Sequence, residues 1–491
     1  MDTKALRQKI LDLAIRGKLV PQDPNDEPAS VLIERIRAEK LQMVKDGKLK
    51  PKDIKNDTII FKGDDNLHYE KFADGTVKCI EEEIPFEVPE GWAWCRLNSI
   101  VDVRDGTHDT PTYVDKGIPL ITSKNLVEGG IDYSNVKYIS EKDAISINER
   151  SGVNIGDILF AMIGTIGNPS MVTEDILISI KNVALFKFTF SKNLSNHFVM
   201  YFLDYAQEDM KNKPSGGLQP FVSLNFLRTY LVPVPPVEEQ QRIVSILADS
   251  INKIRNIDIL KNELTASVKK AKSKILDLAI RGKLVPQDPN AEPASVLLER
   301  IRAEKEELIK QGKIKRDKKE SIIFRGDDNS YYEKYGEKLP SGWVVTNFET
   351  LLSYEQPTNY IVKNTNYNSE YETPVLTAGK SFILGYTDEK ENIFSELPVI
   401  IFDDFTTESK FVDFPFKVKS SAMKILHINT DLVLPKFAFY LMQATQIDHD
   451  NHQRYWISTY SQELLGLPPI NEQKRILSAL EHYFSLIEMI S

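Results

Sequence analysis

Two short segments of the chain carry residue types found in phosphate-binding and methyl-transferring enzymes. The run Ala378-Gly-Lys-Ser381 matches the end of a phosphate-binding loop. The glycine that such a loop needs five residues before Gly379 is Pro374, so the usual cradle of backbone amides cannot form. Asn168-Pro169 is followed by Ser170, which breaks the motif of an amino-methyltransferase. The sequence therefore predicts neither ATP binding nor methyl transfer by this chain.

Acidic and imidazole side chains also occur at spacings that suggest metal ligands. The segment 403–410 contains two aspartates, a glutamate and a lysine, the residue types of a metal-dependent nuclease. The first half of the chain has no counterpart, and an acidic surface loop explains these residues better. His449 and His452 lack a third ligand, and Cys79 and Cys95 form no C-x-x-C pair. The sequence predicts no metal site, no cofactor and no catalytic residue.

Bulk composition limits the class of protein. The chain has 491 residues, with 62 basic and 71 acidic side chains and a net charge of −9. This charge argues against a protein that coats nucleic acid over its whole surface, but it is compatible with a local basic cleft. No window contains the roughly 18 consecutive apolar residues of a membrane-spanning helix, and no signal peptide is evident. We expect a cytoplasmic protein with no membrane partner.

An internal repeat dominates the organisation of the chain. Residues 9–40 recur at 274–305 with two differences, and PPVEEQQRIVSIL at 235–247 returns as PPINEQKRILSAL at 468–480. The sequence Pro-x-Gly-Trp ends at Trp92 and again at Trp343. Between these shared blocks the two copies lose recognisable similarity. Two copies of one unit are predicted, in which the shared parts form a scaffold and the divergent parts carry identity.

The shared blocks have the pattern of long helices. Apolar residues at steps of three and four predict a coiled-coil helix over about 237–281, which ends at Gly282. A second copy begins at Asn471, and Leu6, Ile10 and Leu13 continue its seam at the other end of the chain. We expect the two terminal helices to meet end to end and to pack antiparallel against the central helix. The organisation would be circular, with an internal pseudo-two-fold.

The divergent segments have the pattern of mixed structure with short strands. Apolar runs predict strands at 118–122, 157–161, 183–187, 374–377 and 398–402, and helices are predicted near 195–210 and 435–446. The predicted fold class is α+β, with two recognition domains separated by two long antiparallel helices. The predicted parts are an N-terminal helix and connector at 1–91, a first domain at 92–235, a central helix and connector at 236–342, a second domain at 343–468 and a C-terminal helix at 469–491. Segments 41–90 and 306–340 are expected to be connectors that touch partner subunits.

The whole chain resembles the DNA-specificity subunit of type I restriction-modification systems. The resemblance is carried by the two Pro-Pro helix starts, by the block GKLVPQDPN at 17 and 282, by the Pro-x-Gly-Trp entrances and by the divergence between them. Residues 105–113 and 117–125 resemble a recurrent opening of target-recognition domains. Residues 354–357, 375–380 and 419–423 resemble a second type of recognition domain in the same family.

The resemblance implies a non-catalytic subunit that places two recognition domains on the two halves of a bipartite site in double-stranded DNA. It also implies two methyltransferase subunits docked on the helices, with restriction/translocase subunits completing the enzyme. Two alternatives stay open from the residues alone: a coiled-coil scaffold that never touches DNA, and a single-chain nuclease or methyltransferase with fused specificity domains. The half-site sequences, the gap length and the presence of a nuclease partner cannot be predicted from the sequence.

Candidate DNA contacts are polar side chains in turns next to the predicted strands, because bases are read by Arg, Lys, Asn and Gln while hydroxyls and Lys hold phosphates. In the first domain they are Thr107, His108, Tyr113, Ser123, Lys124, Asn125, Lys181, Asn182 and Gln219. In the second domain they are Tyr354, Gln356, Lys380, Lys417, Lys419, Ser420, Arg454, Tyr455, Trp456 and Tyr460. The run 452–456 suits contact with the DNA backbone or stacking on a base, and a loop that buries Trp456 is the alternative.

Overall fold

The computed structural model describes residues 2–213, 221–312, 339–379, 381–445 and 455–490. The chain forms two compact units, Met1–Leu260 and Lys261–Ser491, called unit 1 and unit 2 below. Within the described ranges, no helix is both long enough and apolar enough to cross a membrane. Gln219, Lys380 and Arg454, three of the predicted DNA contacts, lie outside the described residues.

The α-helices of the described residues are numbered in chain order. The first seven are α1 (Thr3–Ile15), α2 (Ala29–Lys45), α3 (Leu97–Ile100), α4 (Glu141–Ser151), α5 (Asn196–Asn212), α6 (Leu224–Thr229) and α7 (Val237–Ile280). The remaining helices are α8 (Ala294–Lys310), α9 (Phe348–Leu351), α10 (Pro435–Ala444), α11 (Tyr455–Ser458) and α12 (Ile470–Glu488). The predicted central helix is confirmed as α7, and the helices predicted near 195–210 and 435–446 are confirmed as α5 and α10.

The described strands are short. In unit 1 they are β1 (Ile59–Lys62), β2 (His68–Lys71), β3 (Val77–Cys79), β4 (Ala93–Arg96), β5 (Asp102–Asp105), β6 (Tyr113–Val114), β7 (Ile118–Ile121), β8 (Leu126–Val127), β9 (Gly130–Ile131), β10 (Lys137–Ile139), β11 (Ile158–Ala161), β12 (Gly167–Met171), β13 (Ser179–Ile180), β14 (Val183–Lys187) and β15 (Leu231–Val234). In unit 2 they are β16 (Val344–Asn347), β17 (Leu352–Glu355), β18 (Thr373–Leu376), β19 (Ile383–Thr387), β20 (Val399–Asp403), β21 (Ser409–Val412), β22 (Lys417–Val418), β23 (Met423–Ile428) and β24 (Leu464–Leu467). All five strands predicted in the divergent segments are confirmed, as β7, β11, β14, β18 and β20.

The repeated helix ends are capped in the same way. After α1, Gly17 has φ +64° and the amide of Lys18 donates to the carbonyl of Leu13 over 2.7 Å. After α7, Gly282 has φ +64° and the amide of Lys283 donates to Leu278 over 2.8 Å. A left-handed residue at this position lets the chain turn back onto the last carbonyl groups, and glycine adopts it without a Cβ clash. The predicted stop at Gly282 is confirmed.

In unit 1, α1 packs antiparallel against the first part of α7. The hydroxyl of Thr3, at the start of α1, donates to Asp258 over 2.7 Å, while Leu11 and Ile15 share one buried core with Ile243 of α7. This apolar core continues into the strands and helices of residues 92–235. The helix α1, the first part of α7 and the segment 92–235 between them are therefore one folded body.

In unit 2, α12 packs antiparallel against the last part of α7. Lys272 forms an ion pair with Glu488 at 3.2 Å, and Ala279 shares a buried core with Ile476 and Leu480. The seam predicted from spacing thus has a helical partner within each unit. The end-to-end meeting of the two terminal helices stays a prediction.

The divergent segments share the strand order of one four-stranded sheet despite their different sequences. Unit 1 has a four-stranded sheet in the order β12-β11-β14-β5, and unit 2 has the order β21-β20-β23-β17. When these strands are matched in chain order, the two sheets are the same. Each unit also has a second sheet with one parallel pair, β13 with β7 in unit 1 and β22 with β18 in unit 2. In both units, this parallel pair leads into the next strand of the first sheet.

Each divergent segment begins and ends on one two-stranded ladder. In unit 1, β4 pairs antiparallel with β15, and in unit 2, β16 pairs antiparallel with β24. The chain therefore enters and leaves each segment at neighbouring strands. The predicted connector at 41–90 contains the end of α2 and the antiparallel sheet β1-β2-β3.

Candidate nucleic-acid interface

The repeated motifs meet at one junction in unit 1, which holds residues 92–235 on the helices. Glu239, from the Pro-Pro block, is buried and accepts hydrogen bonds from Gln22 over 2.8 Å and from the indole of Trp92 over 2.9 Å. Gln240 is buried, accepts from the amide of Ser195 at the start of α5 and donates to the carbonyl of Pro235. Burial raises the pKa of Glu239. Three motifs that are far apart in sequence are thus joined by buried hydrogen bonds.

The equivalent junction forms in unit 2. Glu472 accepts from Gln287 over 2.7 Å, and Gln473 accepts from the amide of Leu434 over 2.9 Å while its own amide group donates to Pro468 over 3.0 Å. The indole nitrogen of Trp343 is buried and finds no partner among the described residues. The repeat therefore preserves the connection between divergent segment and helix, without the indole bond in unit 2.

Five of the predicted DNA contacts come together in unit 1. We call Thr107, His108, Ser123, Lys181 and Asn182 the polar cluster. The amide of Thr107 donates to Ile180 over 3.0 Å, and the amide of Asn182 donates back to Thr107 over 3.1 Å. The hydroxyl of Ser123 donates to the carbonyl of Asn182 over 3.3 Å. Three turns, which follow β5, β7 and β13, are thereby joined at one place on the domain.

His108 lies at the centre of this cluster. Its Nδ1 is 2.9 Å from Oδ1 of Asn182, and its Nε2 is 2.9 Å from Oδ2 of Asp105. Hydrogen bonding of the ring to these two oxygens, first to Asn182 and then to Asp105, raises the pKa of the imidazole. Asp105 is buried at the end of β5 and is also paired with Arg150 from the end of α4.

Lysine side chains give the cluster a positive edge. Lys181 Nζ donates to the hydroxyl of Thr110 over 2.6 Å, and Lys124 is exposed on the turn after β7. Tyr113 is 43% exposed and carries the ammonium of Lys137 over its ring at 4.5 Å. Cations and an aromatic face together are suited to a phosphate backbone.

Asn125 has a structural position. Its side chain is buried, where its Oδ1 accepts from the amide of Thr122 over 3.0 Å and its Nδ2 donates to the carbonyl of Asp132 over 3.1 Å. These bonds close the turn that carries Ser123 and Lys124. Asn125 is therefore placed to hold the turn and has no exposed amide for a base.

Sequence reasoning missed Asp105 and Arg150, the two charged residues behind His108. Asp105 lies two residues before the predicted residue Thr107 in the chain, and its position at the end of a strand is a usable signal. Arg150 comes from a helix 45 residues away, and no local pattern in the sequence predicts its contact with Asp105.

Unit 2 places three predicted residues at the topologically equivalent position. Lys419 and Ser420 are exposed and follow β22, as Lys181 and Asn182 follow β13. Gln356 is exposed directly after β17, the counterpart of β5. A parallel bridge lies near these residues in each unit, between Thr107 and Lys181 in unit 1 and between Ile361 and Val418, the last residue of β22, in unit 2.

Aromatic rings accompany these residues. The ammonium of Lys419 lies 5.8 Å from the ring centre of Tyr367. Tyr354 is 45% exposed on β17, and buried Lys424, which pairs with Asp404, lies 5.1 Å from its ring. An exposed ring backed by a cation is a candidate surface for sugar or base contact.

The other predicted residues of unit 2 that the structure describes are buried. Lys417 is 1% exposed, donates to the carbonyl of Glu391 over 2.8 Å and pairs with Glu389 at 3.1 Å. Trp456 is also buried, which is the alternative that the sequence left open for it. The remaining buried candidates are Tyr455 and Tyr460. These four side chains support the domain from inside and are left out of the proposed contact surface.

The acidic segment 403–410 has a structural explanation. Oδ1 of Asp403 accepts from the amides of Phe405 and Thr406, which closes the turn between β20 and β21. Asp404 is buried and paired with Lys424. Within the described ranges, no group of three or more His, Cys, Asp or Glu side chains is arranged to hold a metal ion.

Comparison with known proteins agrees with this architecture. Residues 89–266 match the family model described as "Type I restriction modification DNA specificity domain". The specificity subunit of the type I restriction enzyme EcoAI of Escherichia coli is 32% identical over 397 residues, which cover 69% of this chain and 61% of that protein. The chain belongs to the type I specificity-subunit family. The specificity subunit of EcoR124I/EcoR124II, also from Escherichia coli, is 44% identical over 153 residues, or 30% of this chain and 37% of that protein.

The match to the specificity subunit of EcoAI covers 61% of that protein, and the match to a second relative, the specificity subunit of EcoEI, covers 60%. The chain therefore spans about three fifths of the length of these relatives. One chain from a solved structure on complex assembly and conformational transition of the type I R-M system matches with a TM-score of 0.53. The match covers 83% of this chain and 93% of that chain at 15% identity, so it concerns the fold alone. The mixed helix and strand class predicted from the sequence is confirmed.

Proposed function

We propose that this chain is the sequence-specific DNA-recognition subunit of a type I restriction-modification enzyme. Residues 92–235 and 343–468 are the two recognition domains, and each reads one half of a bipartite site. The observation that carries the proposal is the placement of the exposed candidate residues. In two segments of unrelated sequence, they follow equivalent strands, and a parallel bridge lies near them in each unit.

The divergence between the segments also supports recognition. A duplicated enzyme would be expected to keep its reacting groups in both copies, whereas a duplicated reader is free to vary them. Lys181 and Asn182 in unit 1 correspond to Lys419 and Ser420 in unit 2, so a cation is kept while its neighbour changes. Lysine contacts phosphate in any sequence, and the neighbouring side chain is free to differ between half-sites. The comparisons lend no support to a stand-alone nuclease, a methyltransferase or a scaffold that avoids DNA.

The helices are proposed to set the unread gap between the half-sites. Helix α7 has 44 residues, which at 1.5 Å per residue is about 66 Å. The proposed second rod consists of α12 and α1, with the chain closed in a circle. Two methyltransferase subunits bind this helical scaffold and restriction/translocase subunits complete the enzyme, in the cytoplasm. Catalysis belongs to those partners and not to this chain.

A domain duplication tests the two-reader proposal with parts of this chain alone. Residues 344–467 are replaced by residues 93–234, because β4 with β15 and β16 with β24 form equivalent antiparallel ladders. The altered chain is expressed with its methyltransferase partners, and methylated adenines are mapped in cellular DNA. We expect the second half-site to be replaced by an inverted copy of the first. An unchanged second half-site would contradict the proposal.

A helix insertion tests the spacer proposal separately. Residues 259–267 of α7 are exposed, so two extra turns, about seven residues, should be accommodated there with a matching insertion between α12 and α1. A rise of about 10 Å corresponds to about three base pairs. We expect the methylated site to keep both half-sites and to gain about three unread base pairs. An unchanged gap would show that the helices do not set the spacing.

A further inference from the structure

His108 is held between two oxygen atoms. Nδ1 faces the side-chain oxygen of Asn182 and Nε2 faces a carboxylate oxygen of Asp105, each at 2.9 Å. Both partners accept hydrogen bonds, so both ring nitrogens must carry a proton for both bonds to form. The arrangement favours the imidazolium form of His108, in which both ring nitrogens donate.

The charged groups around the ring come from several elements. Asp105, on β5, favours the cation, whereas Arg150, from α4, opposes it while sharing the same carboxylate. Lys181 and Asp109 belong to the adjoining turns and have opposite charges. The pKa of His108 is raised, first by the bond to Asn182 and then by the bond to Asp105.

The bond to His108 fixes the direction of the Asn182 amide. Because Oδ1 accepts from the imidazolium, Nδ2 is turned away from the ring, and it donates to no group among the described residues. The backbone of Asn182 has φ +54°, a conformation that asparagine tolerates better than most residues. Asn182 is partly exposed, and Ser123 binds its backbone carbonyl. The side chain therefore presents two N–H donors, while one lone pair of its oxygen is occupied by His108.

We propose that Asn182 reads a hydrogen-bond acceptor on a base edge in the major groove, and that His108 and Asp105 are positioning residues that set its polarity. This inference rests on the proposed function of unit 1. Guanine, adenine and thymine each offer an acceptor there, whereas cytosine offers only an amino donor.

The decisive variant is Asn182→Asp, which replaces the two donors with a carboxylate oxygen while keeping an acceptor for His108. The subunit, in complex with its methyltransferase partners, is used to select sites from a random DNA library, and bound sequences are read. Wild type should reject cytosine at one position of the half-site read by unit 1. The variant should prefer a base with an amino donor at that position and should bind the wild-type site at least about tenfold more weakly. Affinity for non-target DNA measures the effect of the added charge alone.

A second variant tests the positioning role. His108→Gln removes the titratable ring, so the preference at that position should become broader and independent of pH. In wild type, the preference should be strongest at about pH 6 and should weaken as the pH rises through the raised pKa of His108, above about 6.5. A neutral ring has one acceptor nitrogen, toward which the amide of Asn182 can turn its N–H.

The half-site read by unit 2 is the internal control. It should be the same for wild type and for both variants, because His108 and Asn182 belong to unit 1. If no sequence is selected in either half, the proposed function fails. Two results would show that the inference about Asn182 is wrong while the proposed function stands, provided that the half-site of unit 2 is selected normally. In the first, Asn182→Asp leaves the half-site of unit 1 unchanged. In the second, wild type and His108→Gln select that half-site equally well at all pH values.

Discussion

Substituting Gly17 with alanine should destabilise unit 1 far more than the loss of one glycine usually does. The left-handed backbone of Gly17 costs an alanine about 1–2 kcal/mol. An added Cβ would also lie 2.3 Å from Cγ of Pro89 and 3.2 Å from the ring of Trp92. The proline ring is rigid, so the chain must shift, at a further cost of about 1–3 kcal/mol. We expect a total loss of about 2–5 kcal/mol.

The chain provides matched controls for this substitution. Gly47 has φ +73° and no atom within 4 Å of an added Cβ, so Gly47→Ala should cost only the backbone part, about 1–2 kcal/mol. Gly282 repeats the situation of Gly17, with Cγ of Pro340 at 2.4 Å from the added Cβ. Gly282→Ala should therefore destabilise unit 2 by about the same amount as Gly17→Ala destabilises unit 1.

Hydrogen exchange measured by mass spectrometry at increasing urea concentration is the appropriate assay, because it reports the opening free energy of each unit separately. Peptides from α1 and β4 report on unit 1, and peptides from β16 and β24 report on unit 2. If Gly17→Ala lowers the opening free energy of α1 by no more than Gly47→Ala does, contact with Pro89 does not limit the junction and the reasoning is refuted.

Two further pairs of substitutions test the buried indole bond and the difference between an exposed and a buried lysine. Trp92→Phe removes a hydrogen bond to buried Glu239, whereas Trp343→Phe removes a nitrogen without a described partner. Urea denaturation should therefore show a loss of stability about 1–3 kcal/mol larger for Trp92→Phe. Equal losses would show that the indole bond contributes nothing. Lys181→Ala should weaken binding to all DNA sequences alike and reduce the slope of log affinity against log salt by about one. Lys417→Ala, at a buried ion pair, should lower thermal stability and leave that slope unchanged. An anisotropy titration in which Lys417→Ala changes the slope and Lys181→Ala does not would contradict the surface proposed here.

The helical scaffold was predictable because its signals are local. Ile243 and Leu247 follow the spacing of a helix seam and are buried, and α7 stops where Gly282 predicts. Leu264 follows the same spacing and is 41% exposed. Periodicity identifies the apolar face of a helix, but the extent of its partner depends on chain segments that are distant in sequence.

The candidate site was only partly predictable, because burial depends on tertiary packing. Asn125 and Lys124 are neighbours with similar polar character, yet one closes a turn inside the domain and the other is exposed. Lys417 and Lys419 were both predicted to be DNA contacts, but Lys417 lies within β22 and is buried against Glu389, whereas Lys419 follows the strand and is exposed. The approach of Arg150 to Asp105 depends on how α4 packs on the sheet, which no spacing in the sequence encodes.

The ladders that close each divergent segment have a consequence for how such proteins change. Because β4 and β15 are hydrogen-bonded neighbours, residues 97–230 form an inserted segment whose two ends are held next to each other. The same is true of residues 348–463 between β16 and β24. Such a segment can change in length or in sequence without displacing the helices to which it is attached. Under the proposed function, a change of target is therefore independent of the geometry of the helices, and one exchange of the DNA that encodes this segment is enough to supply a new half-site.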